Sequence, residues 1–444
     1  MKKFFYIFLL LGAVFTLCLL MDKKISLITT TKIYQHKSAP FEKVVLVPSP
    51  DAEGVFLYLV FPSGEASHTF DEGLAHYVEH LAWLSAFGGD QDERALHSNA
   101  WTNHFSTGYW RKTSKEDLHH AMQTLISVAN PLKVDADFAL EERKIVLREH
   151  DFRVTERPLY NVFRDMDRAL YGDGTLARSV IGQPPVIASY ALDAAATLHK
   201  ETHILAEATL LVYGNISQAR LDAVLSSLSF EGASAPKVNP VLPKMVSKDV
   251  MQDRAAVTVS RLNDDTFLYR KLVRLGPCDS PAHCATVVRL AENALESALP
   301  GGLAGPLRFD QFVARSFSFD IQVIGTDYVE VYFSAHPDNG VSLKTLETAF
   351  HATLQNTLKN GLHQGTFDRV KSRLQDQLNN VLERDRPNDN RGLLLDQLMF
   401  AKPIFSLEDQ INAVEGVRLK DVNSFLKTLL GEGRDVTRLV TVER

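Results

Sequence analysis

Two histidines four residues apart, with a glutamate directly before the second, form the sharpest chemical feature of the chain: His76-Tyr77-Val78-Glu79-His80. On a helix, residues three and four apart lie one above the other, so both imidazoles can face one metal ion while Glu79 stays on the same side. A catalytic zinc takes three protein ligands and keeps one position for water, whose pKa falls to ~7; a nearby carboxylate removes the proton as that water attacks a carbonyl. The order His-x-x-Glu-His is the reverse of the commoner His-Glu-x-x-His, and two histidines on one helix also arise by chance, so the surroundings must carry the assignment.

Those surroundings are consistent with a built site. Val44-Val45-Leu46-Val47 and Val55-Phe56-Leu57-Tyr58-Leu59-Val60-Phe61 are short apolar runs bounded by Pro and Gly and read as buried strands. Thr69-Phe70-Asp71-Glu72 has the form of a capping box, and Leu74, Ala75, Val78, Leu81 and Ala82 recur at helical spacing until Gly88-Gly89, which predicts a helix over 70–86. Further helices are expected over 114–129 and 135–155. The latter offers Glu142 and Glu149, two turns apart and therefore on one face, and either can reach a metal held by His76 and His80. Asp137 and Glu141 point elsewhere and read as solvated charges; His97, His104, His119 and His120 read as polar surface or strand residues.

The composition is that of an ordinary globular protein, 45% hydrophobic and 23% charged over 444 residues, which argues against disorder, collagen-like repeats and a polytopic membrane protein. A formal charge of −6 gives no basic footprint, so nucleic acid is not an expected partner. Phe4 to Met21 are uncharged and mostly apolar, flanked by Lys2-Lys3 and by Asp22-Lys23-Lys24. A helix of that length spans ~27 Å, nearly a bilayer, and the charge bias places the chain's start in the cytoplasm and its bulk outside, in a bacterium the periplasm. No small-residue cleavage site follows, so the segment reads as an uncleaved anchor, with a cleaved signal peptide as the alternative. Cys278 and Cys284 sit in a Pro-rich loop where export would permit a local disulfide.

A strand at 208–214 closes the first half. The stretch from Glu231 to Pro243 combines Gly, Ser and three prolines and reads as a linker. Beyond it a strand over 266–274, a helix over 283–298, strands over 315–324 and 327–335, and helices over 341–360 and 366–385 are expected. This mixture without strict alternation indicates an α+β class with mainly antiparallel sheets. The expected organisation is 1–24 anchor or signal, 40–230 metal-binding domain, 231–247 linker and 248–444 second domain.

Gly73-Leu74-Ala75-His76-Tyr77-Val78-Glu79-His80-Leu81 resembles the inverzincin signature of the pitrilysin/insulinase (M16) metallopeptidases. Asn99-Ala100-Trp101-Thr102 is similar to that family's edge strand, Glu142 and Glu149 to its paired glutamates, and Val180-Ile181-Gly182 and Leu210 to Asn215 fall in family order. The resemblance runs from about residue 43 to about 430. It implies two homologous α/β layered domains of the LuxS/processing-peptidase type, forming half of a clamshell whose other half is a second subunit in a homo- or heterodimer. It also implies one zinc held by His76, His80 and Glu149, Glu79 as general base, Glu142 as support behind a ligand, and extended peptides bound along Asn99, Ala100, Trp101 and Thr102.

Two features depart from the family pattern. The interval from His80 to Glu149 is several residues short, read as a trimmed loop. In Leu307 to Ser316 the family's Arg is present as Arg308, but its partnering Tyr is replaced by Arg315. These two side chains are expected to hold substrate. The function expected is a membrane-anchored zinc endopeptidase acting on unstructured peptides, and the alternative is a non-catalytic peptide-binding or scaffold subunit of a heterodimer.

Overall fold

The computed structural model describes residues 31–87, 97–230, 244–247, 249–276, 280–325, 327–384 and 386–443, and no side chain between 380 and 387. The apolar segment 4–21, Cys18, the linker core 231–243 and Cys278 lie outside these. Among the described residues no helix is long and apolar enough to cross a membrane. Cys284 is disulfide-bonded.

The first half runs β1 (Lys32–Tyr34), β2 (Lys43–Pro48), β3 (Val55–Phe61), α1 (Leu74–Phe87), β4 (Ser98–Thr102), β5 (Thr107–Thr113), α2 (Leu118–Ile126), α3 (Ala136–Glu156), α4 (Tyr160–Tyr171), α5 (Pro184–Ser189), α6 (Leu192–Thr202), β6 (Thr209–Gly214) and α7 (Gln218–Ser227). The second half runs β7 (Met251–Val259), β8 (Thr266–Arg274), α8 (Pro281–Glu296), β9 (Ala314–Ile324), β10 (Tyr328–Pro337), α9 (Leu343–Asn360), α10 (Gln364–Arg384), α11 (Arg386–Met399), α12 (Leu407–Gly416), α13 (Leu419–Thr428) and β11 (Gly433–Val442).

The protein is an α+β molecule with two mainly antiparallel sheets, ordered β1-β2-β6-β3-β5-β4 and β7-β11-β8-β10-β9. Their wiring repeats: one parallel pair (β2 with β6, β7 with β11), then an antiparallel run that ends on an edge strand, β4 or β9. β3 is apolar throughout because it lies between β6 and β5 with both faces covered. Among the described residues β7 pairs with β11 alone, and although its residues alternate between half-buried and exposed, the run Gln252-Asp253-Arg254 breaks the polar/apolar alternation that would have signalled a strand.

The expected start of the helix carrying the histidines is corrected. α1 begins at Leu74, not at 70, because Gly73 takes φ +84° and a Cβ there would meet the Gly182 nitrogen at 2.3 Å. The Glu72 carboxylate caps nothing on its own helix; it accepts from the Ser179 amide and pairs with Arg164 at 3.3 Å. The helix expected over 114–129 is shorter too, α2 ending in a 3₁₀ turn at Ser127–Ala129.

α4 joins the halves through buried charge. Arg270 of β8 donates to Glu330 of β10 at 2.6 Å and pairs with Asp167 of α4 at 2.5 Å, while Asp167 also takes Arg164 at 3.0 Å and the Tyr171 hydroxyl donates to Glu330. Arg434 of β11 reaches the Ala169 carbonyl at 2.8 Å. Removing one member of such a buried set leaves its partners as uncompensated charge.

Arg270→Ala is therefore expected to lower unfolding free energy by about 3–5 kcal/mol in urea titration, whereas Arg254→Ala, which breaks an exposed pair with Glu347, changes it by less than about 1 kcal/mol. A second expectation concerns pH. Burial raises Glu292 of α8 to about 7, above its ordinary value, so the folded state holds this proton more tightly than the unfolded chain. Stability from this group then falls as pH rises from about 4.5 to about 7. Glu292→Gln should stabilise the protein above pH 7 by roughly 1 kcal/mol, after discounting for partial exposure, and leave it unchanged near pH 4.

Candidate metal centre and its cavity

Packing of α1 on α3 builds the site. Leu74, Tyr77, Val78 and Leu81 bury one face of α1 in a cluster with Ala139 and Val146 of α3 and with Ile187, Tyr190, Ala195 and Leu198, and the Tyr77 hydroxyl donates to the Ala139 carbonyl at 2.6 Å. Tyr77 also stacks on Tyr190 at 5.3 Å. With that face fixed, His76, Glu79 and His80 project from the other side into a cavity of about 650 Å³, where α3 supplies Glu142, Ile145, Glu149 and Arg153 and β4 supplies its whole length, Ser98 to Thr102.

One ligand atom from each of His76, His80 and Glu149 lies within 4.8 Å of the others. Glu149 Oε2 is 3.5 Å from His76 Nε2, and its Oε1 is 3.8 Å from His80 Nε2. Tetrahedral ligands at about 2.0–2.2 Å from zinc stand roughly 3.3 Å apart, so this donor set fits a divalent cation after small rotations. Glu142 does something different: it takes the far nitrogen, His80 Nδ1, at 3.0 Å, which fixes the ring and directs Nε2 toward Glu149. The two glutamates that the sequence leaves equivalent are thereby separated by geometry.

Glu79 is buried and accepts from the Thr102 hydroxyl at 2.7 Å. Its carboxyl is held above the usual range chiefly by burial and also by Glu149, against the opposing pull of His80 and the Thr102 hydrogen bond. Burial, then His80 and Arg153, push His76 well below its usual value, so it is a neutral imidazole with a lone pair to offer. Burial opposes protonation of His80 as well, yet Glu142, Glu79 and Glu149 together hold it up; a dication competes with that proton for the same nitrogen.

Asn99, Ala100, Trp101 and Thr102 all line the cavity. Among the described residues β4 pairs with β5 alone and is the edge strand of its sheet. Arg308 and Arg315 do not line it: Arg308 lies over the Phe309 ring at 5.4 Å, and Arg315 pairs with Asp264 at 2.8 Å. Glu141 pairs with Lys144, His119 and His120 are exposed, and the half-buried His104 meets the Arg178 carbonyl at 2.9 Å. Sequence reasoning overlooked Trp83, which stacks on Tyr109, and Arg153, which pairs with Glu149 at 3.7 Å. The signal for Arg153 was present, since it follows Glu149 by four residues on one helix.

No protein-family model matches the chain. It is 24% identical over 382 residues to the zinc protease PqqE of Helicobacter pylori, which covers 82% of this chain and 84% of that protein. Its fold is similar to the periplasmic protease PqqL of Escherichia coli, with TM-score 0.73 and 16% identity over 93% of this chain, and it spans 47% of that longer chain. It is also similar to a peptidase M16 inactive domain from Pseudomonas fluorescens, with TM-score 0.71 and 15% identity over 94% of this chain and 98% of that domain.

The Glu142–His80 contact generates a test of its own. Glu142→Gln is expected to weaken zinc binding by about 10–100-fold, measured by competition with a chelating dye, because the ring loses its charged anchor while all three donor atoms remain.

Proposed function

We propose that this chain, whose relatives and fold are those of M16 peptidases of the pitrilysin/insulinase type, is a zinc-dependent endopeptidase acting on unstructured peptides. The observation that carries the reading is the convergence of His76, His80 and Glu149 within 4.8 Å, with Glu79 beside them and outside the donor set. In this reading the three side chains hold one zinc ion, which when bound supplies a Lewis acid for the scissile carbonyl and acidifies a water molecule.

Every other task falls to the chain's own residues. The open edge of β4 receives the peptide backbone as an added strand, so recognition tolerates many sequences but requires an extended substrate. Glu79, held in place by the Thr102 hydroxyl, accepts a proton from the water whose oxygen attacks the peptide carbon. As the C–N bond breaks, Glu79 returns that proton to the leaving amine. Glu142 keeps His80 oriented throughout.

The apolar segment 4–21 supports export with the body of the protein tethered on the periplasmic side of the inner membrane, and the neighbouring fold of a periplasmic protease agrees with that compartment. The half-length match to PqqL supports a second M16-type subunit, identical or not, as the other half of the enclosure. A non-catalytic scaffold subunit is the second reading. It draws on the inactive M16 neighbour and on Arg315, which is tied to Asp264 outside the cavity and in this position gives no oxyanion donor. The complete donor set with a base beside it favours the enzyme.

Purified full chain is expected to hold about one zinc by elemental mass spectrometry and to cleave an unfolded peptide. Glu79→Gln should keep the metal while losing turnover by at least about 10²-fold. Equal turnover in that variant would reject the base, and bound zinc without cleavage by the chain or by any pairing with a second subunit would favour the scaffold.

A further inference from the structure

Arg153 is the only lysine or arginine lining the cavity among the described residues. Its one ion pair there, Nη2 to Glu149 Oε2 at 3.7 Å, is long, and its side chain is 38% exposed. A guanidinium carries five N–H donors in a planar fork, so most of this group's hydrogen-bonding capacity is uncommitted. A lone exposed pair of this kind contributes little to stability, which leaves its position in the wall without a structural reason.

The position itself is informative. Arg153 stands four residues, about 6 Å, beyond Glu149 along α3. Its guanidinium, however, lies 3.7 Å from Glu149 Oε2, beside the donor set, and β4 lines the same cavity, so a peptide added to β4 carries residues close to the bond being cut past it. The other polar groups of the lining are Glu79, Glu142 and Glu149 with His76, His80, Ser98, Asn99 and Thr102, so no second fixed cation competes with Arg153 among the described residues.

Building on the peptidase reading above, we propose that Arg153 is a specificity-determining residue that recognises a substrate carboxylate, from an acidic side chain or a free C-terminus, close to the scissile bond. The planar fork matches a carboxylate in two parallel hydrogen bonds. The preference is therefore positional: an acid is favoured where the bound peptide passes the Arg153 guanidinium.

The test uses purified full chain and two peptide sets. In one, a single Glu is moved stepwise across the cleavage site of an amidated peptide and compared with Gln at each place. In the other, neutral peptides of decreasing length end in a free carboxylate or an amide. The expected result is a preference of at least about tenfold in kcat/KM for the carboxylate at one position in one set, and the set that shows it identifies the source. Arg153→Gln should bring that ratio to about one, Arg153→Lys should restore part of it, and Arg153→Glu should shift preference to Lys. A wild-type ratio near one at every position in both sets, or a ratio unchanged in Arg153→Gln, overturns the proposal. Anisotropy of fluorescein-labelled peptides on the Glu79→Gln variant reads the same ratio without turnover. Failure of hydrolysis thus counts against the peptidase reading, and failure of the ratio counts against Arg153.

Discussion

The seam between α1 and α3 is the constraint on which the candidate centre depends. Leu74, Tyr77, Val78 and Leu81 are buried in one cluster with Ala139 and Val146 of α3 and with Ile187, Tyr190, Ala195 and Leu198, which fixes the rotation of α1, and the Tyr77 hydroxyl on the Ala139 carbonyl sets its offset from α3. Because helical side chains repeat every 3.6 residues, a rotation that buries those positions leaves His76, Glu79 and His80 on the opposite side. A slip of one turn along α3 would move the carboxylates by about 5.4 Å and take Glu149 away from both imidazoles. The chemistry therefore rests on ordinary core packing more than on any hydrogen bond inside the cavity.

That seam concentrates charge of one sign. Glu79 and Glu142 are buried, Glu149 stands within reach of both histidines, and among the described residues Arg153 alone supplies a permanent positive side chain in the lining. Burying carboxylates side by side is unfavourable unless cations or donors answer them. The protein answers two locally, with Thr102 on Glu79 and His80 on Glu142. Among the described residues Glu149 has the long contacts to the histidines and to Arg153 alone, which is the electrostatic pattern a dication would complete.

Much of this was legible in the sequence because the signals were local. The spacing of His76, Glu79 and His80 defines a helix face, and Glu142 and Glu149 share a face by the same rule. What local spacing does not settle is which glutamate faces which nitrogen, since that depends on the offset between two helices more than 50 residues apart in the chain. The start of α1 was misread for a related reason: Glu72 matches a capping box locally, but the loop at Ser179 to Gly182 and Arg164 claim it from a distance. β7 and β11 escaped notice because β7 opens on three consecutive polar residues, Gln252-Asp253-Arg254, and so lacks period-2 alternation, and β11 is rich in charge, with Arg434 and Arg438 committed to the joint with α4.

The repeated wiring of the two sheets shows how little of the fold the chemistry requires. In each half a helix follows the central strand and presents a glutamate toward the edge strand: Glu79 accepts from Thr102 of β4, and Glu292 accepts from the Ile321 amide of β9 at 3.1 Å. Around Glu292 the helix carries Arg289 and Asn293 where α1 carries histidines. Without imidazoles, that acid can only satisfy a backbone donor at a desolvation cost that raises its pKa to about 7. The scaffold thus sets an acid against an open strand twice, and two histidines one helical turn apart are what turn one of those places into a candidate reaction centre. The second half keeps the architecture and uses its buried charge instead to hold the halves together through Arg270, Glu330 and Asp167.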